Sequence, residues 1–275
     1  MSTKGHLMSL PTAVIGSTGK TGRRIIPRLQ EAGVDVRPLG RHTEPSFDWQ
    51  RPEDWPAALS GVGRLYVAFV PDLAGPGSER SIAQLIEVAS AARVERIVLL
   101  SGRGEAGAER CERLVLDSGI PAVIVRASWF AQNFTEGMLQ PVDGVIALPA
   151  GTMREPFIDV DDLADVAVAA LVGDGHESRI YEVTGPELLS FADAAALLTA
   201  STGEQVQYVP LEFDEFHSII ESELDRATAD LLTDLCREVF DGRNESVTTG
   251  VRDAIGREPR SLREVFADSR VAASA

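Results

Sequence analysis

Thr12-Ala13-Val14-Ile15-Gly16-Ser17-Thr18-Gly19-Lys20-Thr21-Gly22 is the stretch on which the reading of this chain turns. Thr12–Ile15 reads as a buried strand and runs without a spacer onto Gly16. Arg23–Leu29 continues as a helix with Ile25, Ile26 and Leu29 spaced for one buried face. Pro27 falls within the first turns, where a missing N–H is tolerated. Glycines at this spacing permit a tight turn, close approach of the backbone to a ligand, and close packing of helix on strand. The helix start then offers free N–H groups and a partial positive charge, which suit a diphosphate. Gly16, Ser17, Thr18, Gly19, Lys20, Thr21 and Gly22 are therefore the expected cradle of a dinucleotide.

The next strand indicates which dinucleotide. An NAD-selective site carries an acidic residue about 20 positions after the motif to hold the ribose 2′-hydroxyl. Here the strand Val34–Leu39 runs into Gly40-Arg41-His42, and Arg41 holds that place. A carboxylate there would repel a 2′-phosphate, whereas a guanidinium grips it in a bidentate way. Lys20 is expected to add a second positive charge nearby, and the cofactor is read as NADP(H).

Outward from the loop, short apolar runs alternate with helical patterns. Strands are expected at Thr12–Ile15, Val34–Leu39, Arg64–Val70, Arg96–Leu100 and Ala122–Val125. Between them lie expected helices at Lys20–Ala32, Pro52–Leu59, Ser78–Ala92 and Glu109–Ser118. Such alternation predicts an α/β fold, a Rossmann-type doubly wound parallel sheet whose ligands bind beyond the carboxyl ends of the strands. The second half changes character: short strands at Val145–Leu148, Pro156–Ile158, Ile180–Val183 and Gln205–Val209, a helix over Asp161–Val172, a helix capped by Ser190, and a mostly helical remainder. Ser261 with Glu264 spells a capping box. The expected organisation is a disordered leader over 1–10, an NADP-binding Rossmann domain over 11–140, and a smaller α+β substrate lobe over 141–275 interleaved with the Rossmann core.

Composition narrows the function. Net charge is −16, so nucleic acid and anionic lipid are poor partners without a basic patch, and the sequence shows none. No run approaches the about 18–20 apolar residues of a membrane span. Cys111 and Cys236 form neither a disulfide framework nor a metal-ligand spacing, so a cytoplasmic protein with reduced thiols is expected. Of 26 basic residues only Lys4 and Lys20 are lysines, which leaves Lys20 as the one candidate for lysine chemistry. The expected partner is a small-molecule substrate, with the chain a monomer or homodimer.

With these residues in view, the chain resembles the NmrA-like atypical short-chain dehydrogenases. GSTGKTG at 16–22, Gly40-Arg41, RIVLLSG at 96–102, SGIPAVIVRASWFAQNF at 118–134 and PFIDVDDLADVAVAAL at 156–171 carry the likeness. Within that family GSTGKTGRRIIPRLQEAG, with FDW after it and GPELLSFADAA later, is most similar to the ergot-alkaloid reductases of festuclavine and agroclavine synthase type. The resemblance implies a pyrophosphate loop at Gly16–Gly22 and a 2′-phosphate contact at Arg41. It implies that Asp48 and Trp49 flank the adenine, and that Val70 and Pro71 end the family's fourth strand beside the adenosine ribose. It sets Ser101 and Gly102 near the nicotinamide. Trp129, Phe130 and Asn133 match R-P-x-x-F-x-x-N-F, which borders nicotinamide and substrate, with Ala127 where proline is common. The family's H-x-x-x-E is half present, as Ala108 and Glu112.

Ordinary short-chain dehydrogenases use Tyr-x-x-x-Lys to supply a proton, and none of Tyr66, Tyr181 and Tyr208 is followed four residues later by lysine. Tyr66 is expected in the core. Two readings remain open at this point. One is an NADPH-dependent reductase of secondary metabolism, delivering hydride to an imine, iminium, quinone or conjugated carbonyl without that pair. The other is a non-catalytic NADP(H) redox sensor acting through a protein partner. An isomerase or dehydratase on the same scaffold is a third, lesser reading. Trp129, Phe130 and Phe134 are candidates to stack on a flat or cationic substrate, with core packing the competing role. Glu112 and Asp117 are expected on a solvated helix face, Asp159, Asp161 and Asp162 as capping carboxylates, and Cys111 as an inert thiol. His6, His42, His176 and His217 form no ligand set.

Overall fold

The computed structural model describes residues 10–273, so all of the expected leader except Leu10 lies outside the described residues. In chain order the elements are β1 Thr12–Ile15, α1 Gly22–Glu31, β2 Val36–Leu39, α2 Trp55–Leu59, β3 Arg64–Val67, α3 Ser78–Ala91, β4 Arg96–Gly102, α4 Ala106–Leu116, β5 Ala122–Ala127 and α5 Asn133–Glu136. They continue with β6 Val145–Leu148, β7 Arg154–Glu155, α6 Val160–Val172, β8 Ile180–Val183, β9 Leu189–Ser190, α7 Phe191–Thr202, β10 Gln207–Pro210, α8 Phe213–Glu223, α9 Arg226–Val239, α10 Gly250–Ile255 and α11 Leu262–Ala273.

Six strands form one sheet in the order β2-β1-β3-β4-β5-β8, with every pairing parallel. The chain runs outward from β1 to β2 and then returns to β3 on the other side of β1, which opens a crevice at the carboxyl ends of β1 and β3. Alternate strand residues serve opposite faces. Ala13, Ile15, Leu65, Val67, Ile97 and Leu99 pack with residues of α2, α3 and α4, whereas Val14, Tyr66, Val98, Val123 and Val125 pack with α1 and α6. Both faces are covered, and this accounts for continuous apolar strands in place of alternating ones. The second half also supplies β8 to the edge of the main sheet. A further cluster gathers Phe134, Phe157, Phe191, Phe240 and Phe266 beside the small sheets β6/β10 and β7/β9.

Several boundaries differ from expectation. The helix after the loop begins at Gly22, and Pro27 lies in its interior rather than its opening turns, so the carbonyl one turn earlier lacks its usual partner. The expected helix over Pro52–Leu59 divides into a 3-10 turn at Pro52–Asp54 and α2. The strand expected to reach Val70 stops at Val67; Val70 is exposed, and the bond to Pro71 is cis. Pro156–Ile158 is not a strand. Antiparallel pairing falls instead on Arg154–Glu155 with Leu189–Ser190, and Ile158 keeps only a bridge to Phe130. Proline has no N–H to give a ladder, which moves the pairing upstream. The capping boxes at Ser190/Asp193 and Ser261/Glu264 are both formed.

Candidate functional site

The loop after β1 is built as a donor surface. Gly16 turns at φ +80°, a conformation that disfavours any side chain, and its amide and that of Ser17 bond to the Leu39 carbonyl at the tip of β2. A Cβ on Gly22 would lie 2.2 Å from the Gly16 carbonyl oxygen, so only glycine lets α1 start this close to the loop. The amides of Thr18, Lys20, Thr21 and Gly22 donate to no acceptor among the described residues. No acidic residue occupies the first turn of α1. The Ser17 hydroxyl is buried without a partner. Several unsatisfied donors at a positive helix end fit the pyrophosphate of a dinucleotide.

Arg41 follows β2 with an exposed side chain, and it forms no ion pair or hydrogen bond among the described residues. A free guanidinium is unusual here, because the neighbouring arginines are committed: Arg24 and Arg28 of α1 pair with Asp161 and Asp165 of α6. The Lys20 ammonium reaches toward Gly137, where a Cβ would come within 2.9 Å of it and of the Asn133 amide oxygen. Partial burial, then the neighbouring Arg23 and Arg24, hold it below the ordinary lysine range. Asp48 and Trp49 lie on the loop before α2. Asp48 accepts the Trp55 indole N–H through its carbonyl at 2.7 Å, and Trp49 packs against Phe47, Trp55 and Phe69.

Beyond the carboxyl ends of β4 and β5 opens a cavity of about 360 Å³. Ser101, Gly102, Ala127 and Ser128 come from the strand ends, and Phe69, Trp129 and Phe130 form aromatic walls. Trp129 is held by stacking on Phe240 at 5.2 Å and by an edge contact with Phe191. Leu232, Leu235 and Val239 of α9 close the far side. Among the lining residues the ionisable groups are Asp72, Arg103 and Glu105, and none is a tyrosine or a lysine. Tyr66 is fully buried in β3, Tyr181 bonds His176, and Tyr208 bonds the Leu148 carbonyl.

Of the residues matched in Sequence analysis, Pro71, Ser101, Gly102, Trp129, Phe130 and Asn133 line this cavity; Val70 projects outward. Phe134 is core, 1% exposed and packed against Phe157 and Phe266. Glu112 is not on a solvated face. It is buried and takes the Ser101 hydroxyl and the Arg126 guanidinium, and Asp117 is the exposed one. Asp159 caps α6 through the Asp161 amide, while Asp161 binds arginines of α1 and Asp162 binds Arg257 and Arg260. Cys111 is buried against Leu73 and Ser78, and burial pushes its thiol up. No cluster suited to a metal occurs among the described residues.

Sequence reasoning missed Glu105, Asp72 and the α9 wall. A carboxylate before a helix resembles an ordinary cap, and nothing local announces that α9 folds back over β4.

The fold, the donor-lined loop and the cavity beside it define a Rossmann-type NAD(P)H-dependent oxidoreductase. No protein-family model matches the chain. It is 30% identical to the (4-alkanoyl-5-oxo-2,5-dihydrofuran-3-yl)methyl phosphate reductase of Streptomyces griseus over 93% of this chain and 96% of that one. It is 30% identical to festuclavine dehydrogenase of Aspergillus fumigatus over 72% and 76%, and 29% identical to the NAD(P)H azoreductase of Xenophilus azovorans over 94% and 98%. Among solved structures, the Escherichia coli NADPH-dependent quinone oxidoreductase complexed with NADPH superposes with a TM-score of 0.79 at 22% identity, covering 94% and 99%. A mutant of NmrA superposes at 0.67 and 17%, covering 98% of each chain. The chain belongs to the NmrA-like family of NADP(H)-dependent reductases, with ergot-alkaloid dehydrogenases among its relatives.

Proposed function

We propose that this protein is an NADPH-dependent reductase of a small, flat, conjugated molecule carrying an electron-poor C=N or C=O group. The observation that carries the reading is the aromatic-walled cavity at the ends of β4 and β5, beside a loop whose amides are unpaired. NADP(H) would be held by Gly16 to Gly22 at the pyrophosphate and by Arg41 at the 2′-phosphate, with Asp48 and Trp49 toward the adenine and Ser101 and Gly102 toward the nicotinamide. When bound, it supplies hydride. Trp129 and Phe130 would stack the substrate, Asn133 would orient its polar edge, and exclusion of water by α9 would hold it in a reactive pose.

A largely apolar, substrate-sized cleft favours catalysis over cofactor sensing, which has no use for one. The named activities of the relatives, on azo, furanone and clavine substrates, support reduction of conjugated systems. No helix among the described residues is long and apolar enough to cross a membrane. The proposed setting is the cytoplasm, with the protein acting as a monomer or homodimer on a small molecule. The test mixes protein and NADPH with quinones, enones, azo dyes and cyclic iminium ions and follows nicotinamide absorbance. Saturable oxidation with one class supports the reading. Tight NADPH binding with no acceptor turned over across the panel would leave the sensor.

A further inference from the structure

We infer that Glu105 is the proton donor of this cavity and that the substrate is a neutral quinone or enone, not a cation; the inference rests on the reductase reading above. Glu105 stands at the residue before α4 with extended backbone, yet its side chain makes no capping bond. Glu238 of α9 takes the Ala106 amide instead, at 2.8 Å. The Glu105 carboxyl is thereby free to fold back along the end of β4. A Cβ on Gly102 would meet its oxygens at 2.0 and 2.2 Å, so the carboxyl fills the place where any other residue at 102 would put a side chain. That place is the strand end lining the cavity.

The charges that act most strongly on Glu105 are acidic. Asp72 faces it from the loop after β3, Glu238 from α9 and Glu112 from α4 itself. Two arginines are close in sequence or space and both are engaged elsewhere. Arg103 donates to the carbonyls of Asn244 and Ser246 and to Glu182, and Arg243 is held by Asp241, the Gly104 carbonyl and Glu238 itself, the last at 3.6 Å. No described residue donates a hydrogen bond to the Glu105 carboxyl. Burial first, then Asp72, Glu238 and Glu112, push it up to about 8, and burial raises Asp72 as well. A carboxyl in such surroundings stays a neutral acid at pH 7 and can give its proton away.

The chemistry then balances. NADP(H), when bound, would supply hydride to the β-carbon of the conjugated carbonyl; the C=C π electrons then shift toward the carbonyl carbon and the C=O π electrons move to oxygen. The O–H bond of Glu105 breaks as the new O–H bond forms, leaving an enol, and solvent returns a proton to the carboxylate. From a quinone that enol is the keto tautomer of the hydroquinone, and it completes its conversion by exchanging protons with solvent. An iminium ion needs no such proton, and a neutral acid offers it no countercharge. Glu105 thus supplies the acid that the missing tyrosine–lysine pair would have provided.

The experiment uses the full chain, NADPH and menadione, with kcat and kcat/KM measured across pH for wild type, Glu105→Gln, Glu105→Asp and Asp72→Asn. In parallel, the side-chain carbons of ¹³C-labelled glutamates are titrated by NMR without cofactor. The wild-type rate is expected to fall above about pH 8, where two glutamate resonances titrate, those of Glu105 and Glu155. Glu105→Gln is expected to lose about 100-fold in kcat, flatten that limb and delete the Glu105 resonance while the Glu155 one stays, with NADPH affinity kept. Asp72→Asn is expected to move the limb to lower pH, and Glu105→Asp to retain it. Quinone turnover in Glu105→Gln at the wild-type rate and pH dependence would overturn the inference. So would iminium reduction that rises above pH 8 and disappears in Glu105→Gln, because Glu105 would then act as an anion. Absence of turnover with every acceptor would overturn the reductase reading instead, and the NMR titration still reports on Glu105.

Discussion

Arg126 of β5 and Glu112 of α4 meet beneath the cavity, with Arg126 Nε donating to Glu112 Oε1 at 3.0 Å while the same oxygen takes the Ser101 hydroxyl. Arg126 also donates to Glu182 of β8 at 2.8 Å, so one guanidinium joins a helix to two neighbouring strands. Burial of the carboxylate makes the pair asymmetric: Glu112 side-chain exposure is 3%, against 16% for Arg126. Removing the cation leaves an unpaired buried charge, which costs more than removing both partners. Arg126→Met is expected to lower stability by about 3–5 kcal/mol, and adding Glu112→Gln is expected to restore most of it. Chemical denaturation of the two variants checks this; equal losses would show that Glu112 is solvated without Arg126.

A second prediction follows from the distance at which α1 is set down on the loop. Gly22→Ala would force a Cβ against the backbone of Gly16 and Ser17, and backbone cannot yield as a flexible side chain does. A destabilisation of about 1–3 kcal/mol is expected, with NADPH affinity lowered at least about tenfold because the free amides shift. Thermal melting with and without NADPH separates the two effects. Gly33→Ala is the control at a positive-φ glycine with open space around it; it is expected to lose stability and keep cofactor affinity.

How much of this was legible beforehand depended on whether a feature is local. The loop from Gly16 to Gly22 could be read because glycine spacing, strand and helix lie within one run of chain. The place of Arg41 just past the end of β2 was legible for the same reason, at a fixed offset from the loop. The α9 wall was not, since Leu232, Leu235 and Val239 show helical periodicity but carry no sign of the surface they cover. Glu112 read as solvent-facing because its helical position was judged without Arg126, whose side chain emerges from a strand end. Lys20 shows the limit within the motif itself: its loop position was clear, while its direction toward Gly137 depends on a segment more than a hundred residues away.

Glu155 gives a pH prediction for stability. It is 1% exposed, and one carboxyl oxygen has no partner. Burial outweighs the pull of Arg103, with Glu245 adding repulsion, and pushes the group up to about 8. The folded value lies above the unfolded one, which is about 4.3. The stability linked to the protonated form is therefore complete below about 4.3 and is lost as pH rises toward 8. Glu155→Gln stays neutral throughout. Its stability relative to wild type is expected to improve between pH 5 and pH 8 by about 1 kcal/mol or more. Denaturation midpoints at those two pH values decide it, and a pH-independent difference would place the ionised group in contact with water.

Cofactor choice is proposed to rest on Arg41, and its lack of a partner sharpens the expectation. An arginine already paired with a carboxylate would have to break that pair to bind a phosphate. Arg41 has no such pair to break, whereas Arg23 and Arg24 beside the loop are tied to Glu136. Its contribution should fall entirely on the cofactor that carries a 2′-phosphate. A charge-assisted hydrogen bond of about 1.5–3 kcal/mol corresponds to roughly a 10- to 100-fold change in affinity. Arg41→Ala is accordingly expected to raise the Kd for NADPH by that factor and to leave NADH within about twofold. Raising salt is expected to weaken NADPH binding to the wild type more than to the variant, because an exposed ion pair is screened. Calorimetry with both nucleotides at two salt concentrations measures the four affinities. A parallel loss for NADH would mean that Arg41 supports the loop instead, and the 2′-phosphate would need another partner.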